Sequence, residues 1–335
     1  MTTVLTLLAV VAGLLLLGAA LLVLFTWYTS RKVEAALPPK GRFIDVPGAR
    51  LHLREFGEQR GEKRGESPAI LMIHGLAGQL SHYTYGVAGR LAEYHRVVVV
   101  DRPGSGYSTR DAATPADLAT QAAALAALVR TLDLGPVFVV GHSLGGAIAL
   151  TMALEHPQQV TGLALLAPLT HIREDVPSVF KGLTIESPFV RRLVAWTLAI
   201  PASIKNSGPT LEQVFGPEPV PKDFATRGGG LLSLRPSAFL SASADLQALP
   251  DSLPQIQARY ASLRLPVSVL YGRDDRILDW KANGQALVDK LPGARLELVE
   301  GGHMLPVTQV DVTAAFIEES YLSATGGRVK GVVAG

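Results

Sequence analysis

Gly141-His142-Ser143-Leu144-Gly145 sets a serine between two glycines, directly after the apolar run Pro136-Val137-Phe138-Val139-Val140 and directly before Gly146-Ala147-Ile148-Ala149-Leu150. A Gly-x-Ser-x-Gly pentapeptide at a strand-to-helix junction forms a nucleophile elbow. Its glycines permit a turn sharp enough to hold the serine strained, with its hydroxyl exposed. Serine is a weak nucleophile near neutral pH, so the chemistry also needs a base, an orienting carboxylate and donors for an oxyanion. The chain supplies candidates for each. His303 follows the β-like run Leu296-Glu297-Leu298-Val299 and two glycines, which makes it the candidate base. Asp274 and Asp275 both follow the run Pro266-Val267-Ser268-Val269-Leu270 and compete as the acid. His74-Gly75-Leu76-Ala77-Gly78 is a glycine-rich turn after Ile70-Leu71-Met72-Ile73. The backbone N–H groups of Leu76 and Leu144 are the expected oxyanion donors.

These segments, in the order Ser, Asp, His, resemble the α/β-hydrolase superfamily from about residue 42 to residue 322. Asp101-Arg102-Pro103-Gly104-Ser105-Gly106-Tyr107-Ser108, after four valines, resembles the turn that follows that family's fourth strand. The resemblance implies a serine esterase or lipase-like member with no metal or organic cofactor. It also chooses between the acids: in the family pattern the acid stands three residues after a glycine and two before an aliphatic residue. That selects Asp275, between Gly272 and Ile277, and leaves Asp274 as a turn residue or helix N-cap. Asp175 is a third candidate, because some relatives carry the acid after the sixth strand. Relatives with haloalkane dehalogenase or epoxide hydrolase chemistry carry aspartate at the elbow, where this chain has Ser143. Among the other histidines, His142 is expected to pack beneath the elbow and His74 to organise hydrogen bonds in its turn.

The elements needed to position these residues are legible as alternating strands and helices. Strand-like runs near 69–74, 96–101, 136–141 and 160–167 alternate with helix-like segments near 83–94, 115–132 and 144–156. This pattern predicts a doubly wound, mostly parallel sheet with right-handed crossovers. An opening hairpin is expected around Pro47-Gly48, with Asp101 closing its own turn by accepting hydrogen bonds. The rhythm stops after Pro168 and resumes at Leu265. A structureless loop of that length is improbable, and the superfamily resemblance implies a mostly helical cap over the serine. The expected organisation is an anchor at 1–32, a linker at 33–41, core segments at 42–168 and 264–322, a cap at 169–263, and a flexible tail at 323–335.

Composition narrows the function. A formal charge of +2 with 18% charged residues offers no concentrated basic face for nucleic acid. The absence of cysteine excludes disulfides, a thiol nucleophile and cysteine-ligated metals. Val4 to Tyr28 carries no charge. Its 25 residues reach about 37 Å as a helix, enough to cross a hydrocarbon core. Trp27-Tyr28 then falls at an interface, and no Lys or Arg precedes the run as a signal peptide's basic region would. An uncleaved transmembrane helix is expected. Arg31, Lys32, Lys40 and Arg42 behind it favour the cytoplasmic side for the catalytic domain, with a periplasmic or extracellular domain left open.

The expected activity is hydrolysis of a carboxylic ester, small or lipid-like, by a membrane-tethered enzyme. Amide, thioester or carbon–carbon cleavage, perhydrolysis, acyl transfer and a non-catalytic ligand-binding role remain open, since fold and triad do not set the substrate. His171, Phe180, Phe189, Trp196, Phe239 and Met304 are the candidate substrate contacts. The oligomeric state is open.

Overall fold

The computed structural model describes residues 2–57, 67–172 and 176–326. α1 (Thr2–Ala36) is one unbroken helix, long and apolar enough to cross a membrane. It runs on through 33–36, where a linker was expected, because no residue there breaks a helix and Val33 is buried. Leu37-Pro38-Pro39-Lys40 ends it, as two prolines must.

β1 (Arg42–Val46) and β2 (Ala49–Phe56) form the opening hairpin around Pro47 and Gly48, the latter at φ 77°. There follow β3 (Ile70–Ile73), α2 (Ser81–Thr84), α3 (Val87–Leu91), β4 (Val97–Val100), the short β5 (Thr109–Arg110), α4 (Leu118–Thr131), β6 (Val137–His142), α5 (Leu144–Glu155) and β7 (Val160–Leu166). A helical stretch comes next, with α6 (Pro188–Trp196), α7 (Ala199–Lys205), α8 (Ser207–Phe215) and α9 (Pro236–Gln257). The chain then returns to the sheet through β8 (Val267–Gly272), α10 (Ala286–Val288), β9 (Arg295–Val299), α11 (Leu305–Thr308) and α12 (Val310–Thr325). The strand order is β1-β2-β4-β3-β6-β7-β8-β9, with β5 on β2. β2 pairs antiparallel with β1, β4 and β5, and every other pairing is parallel.

Alternating side chains divide each central strand between two cores. Leu71, Ile73, Val98 and Val100 meet Leu125 and Leu128 of α4 and Ile148 of α5. Ile70, Met72, Val97 and Val99 meet Val87 and Leu91 of α3 and Phe316 and Ile317 of α12. A sheet covered on both faces explains why its strands read as unbroken apolar runs.

The helix expected over 83–94 is broken into α2 and α3 at Gly86. Gly86 lies against Val310, where a Cβ would come within 2.6 Å of its side chain. Residues 323–325, expected as tail, complete α12, which stops at Gly326 in the left-handed conformation.

The helical stretch is joined to the sheet through Arg102. This fully buried residue donates from Nη1 to Asp245 of α9 and to Gln121 of α4, both at 2.7 Å. Arg110 donates to the second oxygen of Asp245 at 2.9 Å. A buried carboxylate shared by two guanidiniums meets the requirement that a buried charge be paired.

Candidate active site

Ser143 stands between β6 and α5 with φ 53° and ψ −120°, a strained conformation for a residue with a side chain. The flanking glycines are required by close approach. A Cβ on Gly145 would lie 2.2 Å from the Ile73 carbonyl oxygen, and one on Gly141 would lie 2.5 Å from that of Gly145. The serine's backbone is held at both ends: its N–H donates to Leu166 O, and its O accepts from Leu169 N–H, each at 3.0 Å.

His303, in the turn after β9, reaches this elbow through its neighbour. His142 Nε2 donates to the His303 carbonyl oxygen at 2.9 Å, and the two rings are 4.8 Å apart. Nδ1 of His303 lies 2.7 Å from Asp275 Oδ2. The other Asp275 oxygen accepts the N–H groups of Ile277 and Leu278 at 2.8 and 2.9 Å. Asp274, one residue earlier, is exposed. Asp175 lies outside the described residues. Ser143 and His303 are 8% and 5% exposed, so the group of three is nearly closed off from solvent.

The turn at His74–Gly78 lies against the serine, since a Cβ on Gly75 would come 2.9 Å from Ser143 Cβ. Among the described residues no partner takes the N–H of Leu76 or of Leu144. Arg102 decides where the first of these points. Its Nε and Nη2 donate to the carbonyls of His74 and Gly75, each at 3.0 Å. In a trans peptide the N–H opposes the preceding C=O, so pinning the Gly75 oxygen also aims the Leu76 N–H. His74 completes the brace: Nδ1 donates to Gly75 O at 2.9 Å and Nε2 accepts from Arg102 N–H at 3.0 Å. Burial, reinforced by the Arg102 charge, holds this imidazole well below its usual pKa and therefore neutral.

The sequence profile of the alpha/beta hydrolase fold matches residues 68–309. The chain belongs to the alpha/beta hydrolase fold family. An uncharacterised protein of Mycobacterium tuberculosis is 28% identical over 299 residues, covering 86% of this chain and 84% of that one. Among solved structures, the enol-lactonase of Burkholderia xenovorans superposes with a TM-score of 0.68 at 19% identity, over 84% of this chain and all of that one. A bacterial membrane phospholipase A superposes with a TM-score of 0.65 at 24% identity, over 96% of this chain and 97% of that one.

In this α/β-hydrolase the six expected substrate contacts are scattered. Met304, next to His303, is buried in an apolar cluster with Val307 and with Phe215 and Phe224 from the helical stretch. Phe180 packs against the main core, and Phe239 is half-buried on α9. His171 is occupied elsewhere: Nδ1 bonds the Thr170 hydroxyl at 2.8 Å and Nε2 accepts from Lys290 at 3.1 Å. Burial and the Lys290 charge push its pKa down to about 4. Phe189 and Trp196 face outward from α6, 77% and 37% exposed, and belong to neither core. Their aromatic character suggested a pocket lining, but the face of α6 that carries them is turned to the exterior.

Three residues near the site carried no local signal. Arg102 braces the His74–Gly78 turn. Glu218, between α8 and α9, accepts the Gly302 N–H at 2.8 Å and Gln309 Nε2 at 3.0 Å, holding the backbone beside His303. His82 sits within electrostatic reach of His303, with its ring 5.8 Å from Phe224. Burial pushes its pKa down to about 4; Asp101 opposes this and His303 adds to it. Its Nδ1 is buried without a hydrogen-bond partner among the described residues. Among those residues no group of three or more His, Asp or Glu side chains is placed to hold a metal ion.

Proposed function

We propose that this protein is a membrane-anchored serine hydrolase that cleaves carboxylic esters through an acyl-enzyme. The observation that carries the reading is the His303 Nδ1–Asp275 Oδ2 contact of 2.7 Å, formed beside a serine held at φ 53°. A carboxylate at Nδ1 keeps the proton there and leaves Nε2 free to accept one. Ser143 Oγ passes its proton to Nε2 as it attacks the acyl carbon. The N–H groups of Leu76 and Leu144 take the charge that develops on the carbonyl oxygen. Collapse of the tetrahedral intermediate breaks the bond to the alcohol, which leaves with the proton from His303. Water then repeats the sequence on the acyl-enzyme, releasing the acid and restoring Ser143.

Two features support a lipid-like acyl ester as substrate. Met304, next to His303, lies in an apolar cluster with Phe215 and Phe224. The likeness to the membrane phospholipase A also extends over 96% of the chain, from catalytic core to N-terminal region. α1 acts as an uncleaved anchor, and the basic residues after it keep the domain on the cytoplasmic side.

The test is steady-state hydrolysis of p-nitrophenyl esters from acetate to palmitate by the detergent-solubilised full chain. Ser143→Ala is expected to lower kcat by about 10⁴-fold or more, and the chain-length optimum measures the acyl site. Equal turnover by the folded variant sinks the assignment.

A further inference from the structure

α1 is more than a tether. Along its first half every apolar side chain is exposed, but Thr26 is fully buried and Val33, two turns on, is 5% exposed. This face packs on α6 and on the turn at Gly230–Ser233. Glu34 lies 3.8 Å from Arg235, and the Tyr107 hydroxyl donates to Leu37 O. The end of α1 is thus bolted to the hydrolase domain. That end is still apolar at Phe25, Trp27 and Tyr28, which remain exposed. A hydrocarbon core about 30 Å thick takes about 20 helical residues. A span starting at Val4 therefore meets its boundary close to Thr26, where the domain begins to cover the helix.

α6 inverts the usual pattern of a surface helix. Ala195 is its buried side chain, whereas Phe189, Leu193 and Trp196, spaced four and three apart on one stripe, are 77%, 53% and 37% exposed. Leu198, in the turn between α6 and α7, is 57% exposed as well. A soluble domain normally turns such a stripe inward. Cations accompany it: Arg192 on α6 and Lys205 on α7 are exposed, as are Arg31 and Lys32 on α1, the helix that packs on α6. At the foot of α1 a cavity of about 420 Å³ is lined by Lys40, Arg54 and Arg227 and, among the described residues, by no Asp or Glu. Aromatic and aliphatic residues on one face with basic residues beside them are the composition of a helix lying in a membrane interface.

We propose that α6 is a second membrane-contact element. Phe189, Leu193 and Trp196 bed into the headgroup–acyl boundary of an anionic bilayer, in the leaflet that α1 leaves. The inference rests on the reading of α1 as a membrane span. It makes the bilayer the surface on which the helical stretch over the active site sits.

The three tryptophans make it testable. Trp27 is on α1, Trp196 on α6, and Trp280 packs against the main core. Three full-length proteins, each keeping one tryptophan with Phe at the other two positions, are reconstituted into phosphatidylglycerol–phosphatidylcholine vesicles. The vesicles carry bromine near the glycerol end of the acyl chains, and unbrominated vesicles serve as the reference. Residues buried about 5–10 Å into the boundary should lose emission by about twofold. Trp27 and Trp196 are expected to be quenched and Trp280 not. Phe189→Asp with Leu193→Asp should relieve quenching of Trp196 and leave that of Trp27 in place. Quenching of Trp27 without Trp196 overturns the proposal and leaves the span standing. A blue-shifted but unquenched Trp196 also overturns it, by showing that protein covers the stripe. No quenching of Trp27 removes the span itself.

Discussion

At Asp275 the two carboxylate oxygens have separate tasks. Oδ1 is saturated by the Ile277 and Leu278 N–H groups, which lock the side chain, and Oδ2 is left for His303. Replacement by asparagine keeps the shape but removes the anion that holds the His303 proton on Nδ1. Asp275→Asn is expected to lower kcat by about 10⁴-fold, with KM little changed. Asp274→Asn should stay close to wild type in the same assay. A comparable loss in both variants would mean that the turn, and not the anion at Asp275, sustains activity.

At the level of elements, the His303 turn is held from two sides. The sheet side acts through His142, which donates to the His303 oxygen, and the helical stretch acts through Glu218, which accepts the Gly302 N–H. The second contact links the helical stretch to the position of His303. Removing Glu218 leaves the Gly302 N–H without its acceptor, reduces Gln309 Nε2 to the Glu300 carbonyl, and lets the turn drift. Displacement of a catalytic group by about 1 Å can cost about 100-fold. Glu218→Ala is therefore expected to reduce kcat by about 10- to 100-fold, with Glu218→Gln recovering part of it. Unchanged kcat in a folded Glu218→Ala protein would show that the sheet side alone positions His303.

Across the whole molecule, several imidazoles are buried in neutral form around the site. Burial holds His74 and His142 well below their usual pKa, and pushes His82 to about 4. In the unfolded chain each titrates near 6.5. Between the two values the unfolded chain binds more protons, so stability rises with pH across that window and is lost as pH falls from about 6.5 toward 4. Urea midpoints are expected to drop steadily between pH 7 and pH 4.5, and less steeply in His82→Gln. Equal slopes in the two proteins would remove His82 from this account. The same neutrality suits the chemistry proposed, because a cation at His82 would oppose formation of an imidazolium at His303.

Contiguous stretches carried the elements. Val97-Val98-Val99-Val100 reads as a strand buried on both faces, and Gly141–Gly145 as an elbow, because strand burial and turn strain depend on neighbouring residues. The order of Ser143, Asp275 and His303 was likewise readable along the chain. Folding decided the rest. Residue type alone leaves Asp274 and Asp275 equal; the family pattern selects Asp275, and folding is what turns its side chain inward to His303. Arg102 and Glu218 act on residues 27 and 84 positions away, and Phe189 and Trp196 are aromatic in either an inward or an outward setting. Apolar periodicity reports that a helix has two faces, but the partner that covers each face is set by contacts between segments far apart in the chain.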